Sequence, residues 1–196
     1  PAVIGSRHLP ALAGRRPRGT GVEACGPRGF PLGAERTATK RAVDEVLLRV
    51  GVHGLDMVLN FGALKSEDRK LVQTDIASIA TIAHTAGAIL KVILETCLLT
   101  LEEKIVACEL SVAAGADFVK TSTGFSTAGA TTDDVALMRG VVGDRAGVKA
   151  SGGIRTGGDA IAMVHAGANR LGPSSGIQLL RHPGAYPQPQ RPRVAP

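Results

Sequence analysis

From about Asp56 onward, one unit recurs along the chain: a short apolar run, a polar loop, a helical segment and a glycine. Gly87-Ala88, Gly115-Ala116 and Gly167-Ala168 each close a helical segment just before the next apolar run, where a left-handed glycine is expected. Strands that alternate with helices in this way form βαβ units around a parallel sheet that is buried on both faces. The predicted strands are residues 55–59, 90–94, 117–121, 147–150 and 169–172, and the predicted helices are residues 66–86, 100–114, 132–142 and 157–166.

Capping residues mark where these helices begin. Thr100 followed by Glu103 has the spacing of a capping box, in which each side chain accepts a hydrogen bond from the other residue's backbone N–H. Thr131 and Thr156 each precede an acidic residue by three positions, and Ser66 stands before two acidic residues. The helix starts and the glycine stops therefore predict the same units.

The periodicity is compatible with two arrangements of the sheet, a doubly wound open sheet and a closed (β/α)₈ TIM barrel. In a barrel, several successive strands deliver polar residues to one mouth, whereas an open sheet concentrates them at one crossover. Polar residues follow the carboxyl end of each predicted strand, which favours the barrel. They are Asn60, Glu95–Thr96, Lys120–Thr123, Lys149–Gly153 and Gly172–Ser175.

The formal net charge of +6 raises the question of nucleic-acid binding, so the location of the charges matters. Nine arginines and two glutamates lie outside residues 37–180, which leaves 14 basic and 15 acidic residues inside that range. No aromatic RNA-binding pattern accompanies the basic ends, which are rich in Gly and Pro. Solvated, arginine-rich ends are therefore favoured over a nucleic-acid partner.

Length and composition exclude several other classes. The 196 residues fit one domain, and the apolar runs break before the roughly 18 residues of a membrane span, so no membrane partner is expected. Cys25, Cys97 and Cys108 cannot all pair and form no C-x-x-C motif, so we expect no disulfide scaffold and a reducing, cytoplasmic compartment. The five histidines have no ligand spacing, and no metal is expected.

Two lysines close predicted strands at equivalent positions. Lys120 ends the strand that begins at Asp117, and Lys149 follows Val148 in the next strand. A surface charge is the ordinary interpretation of a lysine, but the end of a strand buried on both faces has little access to water. Neighbouring strands lie about 4.8 Å apart, and like charges that close disfavour protonation of both amines. A neutral lysine is a nucleophile, and its product with a carbonyl compound is a Schiff base.

Asp56 stands near the start of an otherwise apolar strand. A carboxylate in this position is most often a cap or an ion-pair partner. The functional alternative is proton transfer, because a carboxylate beside the lysine pair could load and unload protons on a carbinolamine or an enamine. The sequence leaves both interpretations open.

Two glycine-containing loops indicate a site for an anionic group. Gly152-Gly153 follows one predicted strand, and Gly172-Pro173-Ser174-Ser175-Gly176 follows the last one. Glycine lets the backbone approach a phosphate, and loops after the late strands of a TIM barrel commonly bind one. Together with the lysine pair, these loops predict a phosphorylated substrate. Neither a Walker nor a Rossmann glycine pattern is present, so no nucleotide cofactor is expected.

Five segments, in order along the chain, closely resemble the deoxyribose-phosphate aldolase family, and the match runs from about Gly29 to Ile177. The resemblance implies a class I aldolase on a TIM barrel. Such an enzyme cleaves 2-deoxy-D-ribose 5-phosphate reversibly to D-glyceraldehyde 3-phosphate and acetaldehyde, without a metal. The segments are Gly29–Gly33, Asp56–Leu64, Lys91–Thr96, Lys120–Phe125 and Lys149–Arg155.

The resemblance also implies roles for individual residues. Lys120 would form the Schiff base, Lys149 would disfavour protonation of Lys120, and Asp56 would shuttle protons with it. These three roles agree with those argued from strand position. The substrate's phosphate would be held by Gly124, Gly152, Gly153, Ser174 and Ser175.

The chain departs from the family near its beginning. The family's first strand and helix have no counterpart, and residues 1–4 resemble the remainder of the second strand. We therefore expect a TIM barrel that lacks its first strand and helix, with an unpaired seam that favours association, for example as a homodimer. In the third strand, Pro27 removes a ladder donor and Arg28 brings a charge into the core, so we expect that strand to be disrupted.

The last part of the chain differs as well. Pro173 withdraws one backbone N–H from the predicted phosphate loop. Residues 181–196 are rich in Pro, Gln and Arg, which predicts a disordered tail. The predicted organisation is one aldolase domain over residues 1–180, with residues 1–28 divergent, followed by that tail.

Two other functions are compatible with the same residues. A non-catalytic phosphosugar-binding protein would keep the barrel mouth and form no imine at Lys120. A phosphate-binding isomerase on the same fold would need a carboxylate base and no reactive lysine. An aldolase, impaired by the absence of the first strand and helix, is the leading hypothesis.

Overall fold

The computed structural model describes residues 2–4, 21–173 and 176. Its sheet contains seven parallel strands in chain order, so each strand pairs with the next one along the sequence. A doubly wound sheet reverses its strand order and this sheet does not, which confirms the predicted TIM-barrel type. The strands are β1 (Ala2–Ile4), β2 (Glu23–Arg28), β3 (Gly54–Val58), β4 (Ile89–Ile93), β5 (Phe118–Lys120), β6 (Gly147–Ser151) and β7 (Arg170–Gly172).

Three helices begin where the capping residues predict, after Thr100, Thr131 and Thr156. Thr100 and Thr156 each form a complete capping box. The segment predicted as one helix over 66–86 differs, because a short helix precedes it and the long helix begins after Asp68, whose side chain accepts a hydrogen bond from the Leu71 N–H at 2.9 Å. No described helix is long and apolar enough to cross a membrane. The helices are α1 (Thr37–Arg49), α2 (Phe61–Lys65), α3 (Arg69–Thr85), α4 (Leu101–Ala113), α5 (Thr132–Val142) and α6 (Gly157–His165), with a 3₁₀ helix at Thr96–Leu98.

The sheet curves back on itself. Arg170, at the start of β7, donates to the Glu23 carboxylate at the start of β2 over 3.4 Å, although these are the seventh and second strands of the sheet. The same guanidinium lies 4.8 Å from the ring centre of Phe118 in β5. These contacts gather distant strands around one axis, as in a barrel. Among the described residues, β1 and β7 do not pair, so the expected seam is present.

β2 forms in spite of its unusual composition, so the expectation of a disrupted strand is wrong. It pairs with β3 from Cys25 to Arg28, whereas its described pairing with β1 ends at Cys25, before Pro27. Arg28 is 1% exposed, and its Nε donates to the Asp44 carboxylate in α1. The helix behind the strand thus supplies the opposite charge, which compensates for the arginine in the core.

The Arg28–Asp44 pair is only partly satisfied. Both Nη atoms of Arg28 and Oδ2 of Asp44 are buried and have no hydrogen-bond partner among the described residues. Burial raises the pKa of Asp44 to about 6, although Arg28 acts in the opposite direction. Without the arginine, the pKa of Asp44 would rise above about 6, and the ionised carboxylate at alkaline pH would have lost its hydrogen-bonded counter-charge.

We expect Arg28→Met to lower the free energy of unfolding at pH 8 by about 3–5 kcal/mol, because it leaves the Asp44 carboxylate unpaired. Arg28→Met/Asp44→Leu should recover most of the loss, since apolar side chains can replace a buried ion pair. Because the pKa of Asp44 is raised, its protonation favours the folded state as the pH falls through about 6. The loss should therefore shrink at pH 5. Urea denaturation at both pH values checks this, and equal losses in the single and double variants would contradict it.

Candidate active site

Alternation along the strands places a group of charged side chains on the inner face of the sheet. One set packs in the core between the sheet and the helices, and it includes Leu55, Met57, Val92, Val119 and Val148. Successive residues of a strand point to opposite faces, so the residues between these lie on the inner face. The inner face carries the charged residues Asp56, Lys91, Lys120 and Lys149 together with apolar residues such as Val58, Ile93 and Phe118. The strand register places Asp56 beside Lys91 and Lys120 beside Lys149.

The Asp56 carboxylate is the hub of this cluster. Its Oδ2 accepts hydrogen bonds from Lys120 Nζ at 2.9 Å and from Lys149 Nζ at 3.1 Å. Its Oδ1 accepts a third, from Lys91 Nζ, at 2.9 Å. All four side chains are at least nine-tenths buried. The structure therefore brings together the two lysines and the aspartate that the sequence singles out.

Lys91 is the member of the cluster to which the sequence interpretation assigns no role. It lies in the middle of β4, is fully buried, and also donates to the Cys25 sulfur at 3.3 Å. A signal was present, because a lysine flanked by Leu90 and Val92 inside a buried strand needs an internal partner. The partner could not be identified from the sequence, since Asp56 lies on the preceding strand.

Burial and neighbouring charges act on the pKa values in opposite directions. Burial alone would raise the pKa of Asp56, but the three ammonium groups hold it well below its usual range. Burial lowers the pKa of Lys149 to about 8, with Asp56 opposing this effect and the other two lysines adding to it. Burial also lowers the pKa of Lys91, but Asp56 and the Cys25 sulfur more than offset it, so the net shift is upward. Near pH 8 the cluster thus holds an anion at Asp56, a cation at Lys91 and a Lys149 amine that readily exchanges its proton.

The three predicted phosphate-binding glycines lie close together. Gly124, Gly152 and Gly153 all have positive φ, at 88°, 78° and 77°. A Cβ added at Gly152 would lie 3.5 Å from the Gly124 Cα, so the loops after β5 and β6 approach each other at the backbone. Ser174 and Ser175, the other two predicted phosphate ligands, lie outside the described residues.

Hydrogen bonds lock the ends of β5 and β6 together. The Thr121 hydroxyl donates to the Ser151 carbonyl at 3.2 Å, and it accepts from the Ser151 N–H at 3.1 Å. The Ser151 hydroxyl donates to the Ser122 carbonyl at 2.6 Å. Thr121 directly follows Lys120, so these bonds hold the backbone at the carboxyl end of the strand that carries this lysine.

The barrel, with its cluster of charged residues on the inner face, defines a class of protein, enzymes of the TIM-barrel type. Residues 34–182 match the family described as DeoC/LacD family aldolase. A deoxyribose-phosphate aldolase from Brevibacillus brevis is 56% identical over 162 residues, which are 83% of this chain and 72% of that one. One from Thermococcus kodakarensis is 54% identical over 165 residues, 84% of this chain and 74% of that one.

Solved structures agree with these relatives. A tetrameric deoxyribose phosphate aldolase from Aeropyrum pernix superposes with a TM-score of 0.84 at 33% identity, over 92% of this chain and 76% of that one. QR15, an aldolase, superposes with a TM-score of 0.84 at 38% identity, over 95% of this chain and 83% of that one. The chain therefore belongs to the DeoC/LacD family of aldolases.

We expect Lys149 to titrate near pH 8 in the folded protein. Asp56→Asn should lower the pKa of Lys149 further, by about 1–3 pH units, because it removes the anion that contacts this ammonium. The measurement is an NMR pH titration of ¹³Cε-labelled lysine, with the Lys149 signal assigned by its loss in Lys149→Met.

The control for this titration is Asp134→Asn, because the Asp134 carboxylate binds Lys104 at 2.6 Å and takes no part in the Asp56 cluster. Asp134→Asn should leave the pH midpoint of the Lys149 titration unchanged. A folded Asp56→Asn protein with an unchanged Lys149 midpoint would show that the carboxylate does not govern this amine.

Proposed function

We propose that this protein is a class I aldolase that cleaves 2-deoxy-D-ribose 5-phosphate reversibly to D-glyceraldehyde 3-phosphate and acetaldehyde. The observation that carries the proposal is the pair of buried amines, Lys120 and Lys149, that share one oxygen of Asp56. Imine chemistry needs a nucleophilic amine and a group that moves protons beside it, and this arrangement has both. Curated relatives named deoxyribose-phosphate aldolases, 52–58% identical to this chain, support the choice of substrate.

The proposed reaction begins when the neutral Lys120 amine attacks the aldehyde carbon, C1, of the open-chain sugar. The carbinolamine that forms loses water and becomes an imine. The C3 hydroxyl then loses its proton and the C2–C3 bond breaks, which releases D-glyceraldehyde 3-phosphate. The electron pair of the broken bond stays with C2, and the two-carbon fragment remains on Lys120 as an enamine. Protonation of C2 gives the imine of acetaldehyde, which water hydrolyses to acetaldehyde and the free amine.

Asp56 and Lys149 supply the proton transfers in this proposal. The Asp56 carboxylate and the Lys149 amine both lie beside Lys120, since Lys149 and Lys120 donate to the same Asp56 oxygen. A Lys149 that titrates near pH 8 can give a proton to the departing hydroxyl of the carbinolamine and take one back later.

The phosphate of the substrate is proposed to bind at the adjoining glycine loops. Gly124, Gly152 and Gly153 leave the backbone unshielded by side chains, so its N–H groups can approach a phosphate. The phosphosugar is the small-molecule partner in this proposal. Association with further copies of the chain, as a homodimer or larger, belongs to it too, because the Aeropyrum pernix aldolase is tetrameric.

The two alternative functions differ from the aldolase in what the cluster must do. An isomerase needs a carboxylate base and no reactive lysine, whereas the Asp56 carboxylate is bound by the amines of three lysines. A non-catalytic phosphosugar-binding protein would have the same geometry and form no imine. Trapping of the imine therefore separates this alternative from the aldolase.

We expect Lys120→Leu to reduce cleavage of 2-deoxyribose 5-phosphate by at least about 10³-fold, because it removes the nucleophile. Sodium borohydride with acetaldehyde should label the Lys120 peptide of the unaltered protein, as read by peptide mass spectrometry, and should label nothing at this position in the variant. Lys70→Leu, at an exposed lysine of α3, is the matched control, and it should retain both the cleavage activity and the labelling of Lys120. Cleavage that survives in a folded Lys120→Leu protein would rule out the assignment.

We expect the unaltered enzyme to lose activity above about pH 8, because Lys149 then lacks the proton that it donates. Lys149→Leu should lower kcat by about 10²-fold or more at pH 7 and should flatten this alkaline limb. The measurement is the pH dependence of kcat from pH 6 to pH 10. A variant with the same limb as the unaltered enzyme would show that another group titrates there.

A further inference from the structure

Glu95, at the barrel mouth, combines an unfavourable backbone conformation with a buried carboxylate. It lies two residues beyond the end of β4, and its backbone is left-handed, with φ at 52° and ψ at 63°. This conformation is unfavourable for a residue with a Cβ, and it persists only where the surroundings enforce it. The residue is 1% exposed, so its carboxylate is withdrawn from water.

The buried carboxylate of Glu95 binds neutral donors. It accepts hydrogen bonds from the Thr123 N–H, at 3.1 and 3.3 Å to its two oxygens, and from the Thr123 hydroxyl. The Cys97 thiol lies 3.9 Å from it. Among the described residues it forms no ion pair, although buried carboxylates are normally paired with cations. The free energy of its burial is thus offset chiefly by its contacts with Thr123.

Thr123 is the residue immediately before Gly124 in the loop after β5. Its hydroxyl donates to Glu95 and accepts from the Phe125 N–H at 3.1 Å, so it fixes the backbone on both sides of Gly124. Gly124 is one of the three glycines proposed to bind the phosphate. The Glu95 contact therefore acts on the part of the loop that faces the substrate's phosphate in the proposed function.

Lys120 is positioned by different contacts. Its ammonium is held by Asp56 at 2.9 Å, and its carbonyl accepts from the Leu94 N–H at 2.9 Å. Thr121, the residue after it, is bonded to Ser151. None of these bonds passes through the Glu95 side chain, so loss of that carboxylate leaves the nucleophile in place.

We infer that Glu95 is a positioning residue, whose buried carboxylate clamps Thr123 and thereby shapes the phosphate-binding loop at Gly124 without taking part in imine formation at Lys120. The inference deepens the proposed function and rests on it. It predicts a separation of two properties: affinity for the phosphate group depends on Glu95, and reaction of Lys120 with an unphosphorylated aldehyde does not.

The test uses Glu95→Gln, with Glu109→Gln as matched control at an exposed position of α4. The readouts are KM and kcat for 2-deoxyribose 5-phosphate, the dissociation constant of inorganic phosphate by calorimetry, and the rate of borohydride trapping with acetaldehyde. In Glu95→Gln, KM and the phosphate dissociation constant should rise about tenfold, the effect of losing a hydrogen bond to a charged group. Both kcat and trapping should stay within about twofold.

A second pair of variants keeps the test independent of the folding of Glu95→Gln. Thr123→Ala removes the hydroxyl and should weaken phosphate binding, whereas Thr123→Ser retains it and should restore binding. Unchanged phosphate binding in folded Glu95→Gln and Thr123→Ala would overturn the inference, and so would an equal loss of acetaldehyde trapping. An unaltered protein that traps no aldehyde at Lys120 would contradict the proposed function instead, while the phosphate measurement would still decide whether the clamp exists.

Discussion

The inner face of the sheet depends on one carboxylate. Three ammonium groups in one buried space repel one another, and each has lost most of its hydration. Asp56 offsets both penalties through three hydrogen bonds of 2.9 to 3.1 Å, which tie β3 to β4, β5 and β6. The positions of both proposed catalytic amines, on β5 and β6, therefore rest on a single residue of β3.

On the outer face of the sheet, buried charges are likewise paired with opposite charges. Lys40 of α1 is fully buried and donates to the Asp75 carboxylate of α3 at 2.6 Å, close to the Arg28–Asp44 pair. Buried charges on this face are paired between a strand and a helix or between two helices. Such pairs contribute little net stability, but removing one partner leaves an uncompensated charge. They therefore restrict which helix can pack behind which strand.

In the proposed function, the strands carry the catalytic amines and the loops that follow them bind the phosphate. The amines project from the strands themselves, whose backbones are held by the sheet and by the Thr121–Ser151 bonds. The proposed phosphate site is formed by the loop backbone at glycines. Because glycines lack side chains, they cannot themselves hold this backbone in place. In the inferred arrangement, Glu95 supplies that support from the segment just after β4, the strand next to β5.

The sequence by itself determined the repeated unit, the helix starts at Thr100 and Thr156, and the placement of Lys120 and Lys149 in successive strands, because these features depend on residues close together in the chain. Only the tertiary structure decided that Lys91 joins Asp56, that Arg28 is neutralised by a helix, and that Glu95 binds Thr123. The partners in these contacts are 16 to 35 positions apart and lie on different elements. Local patterns identify a buried charge, but its partner is chosen by strand register and by the packing of helix on sheet, which are properties of the folded chain.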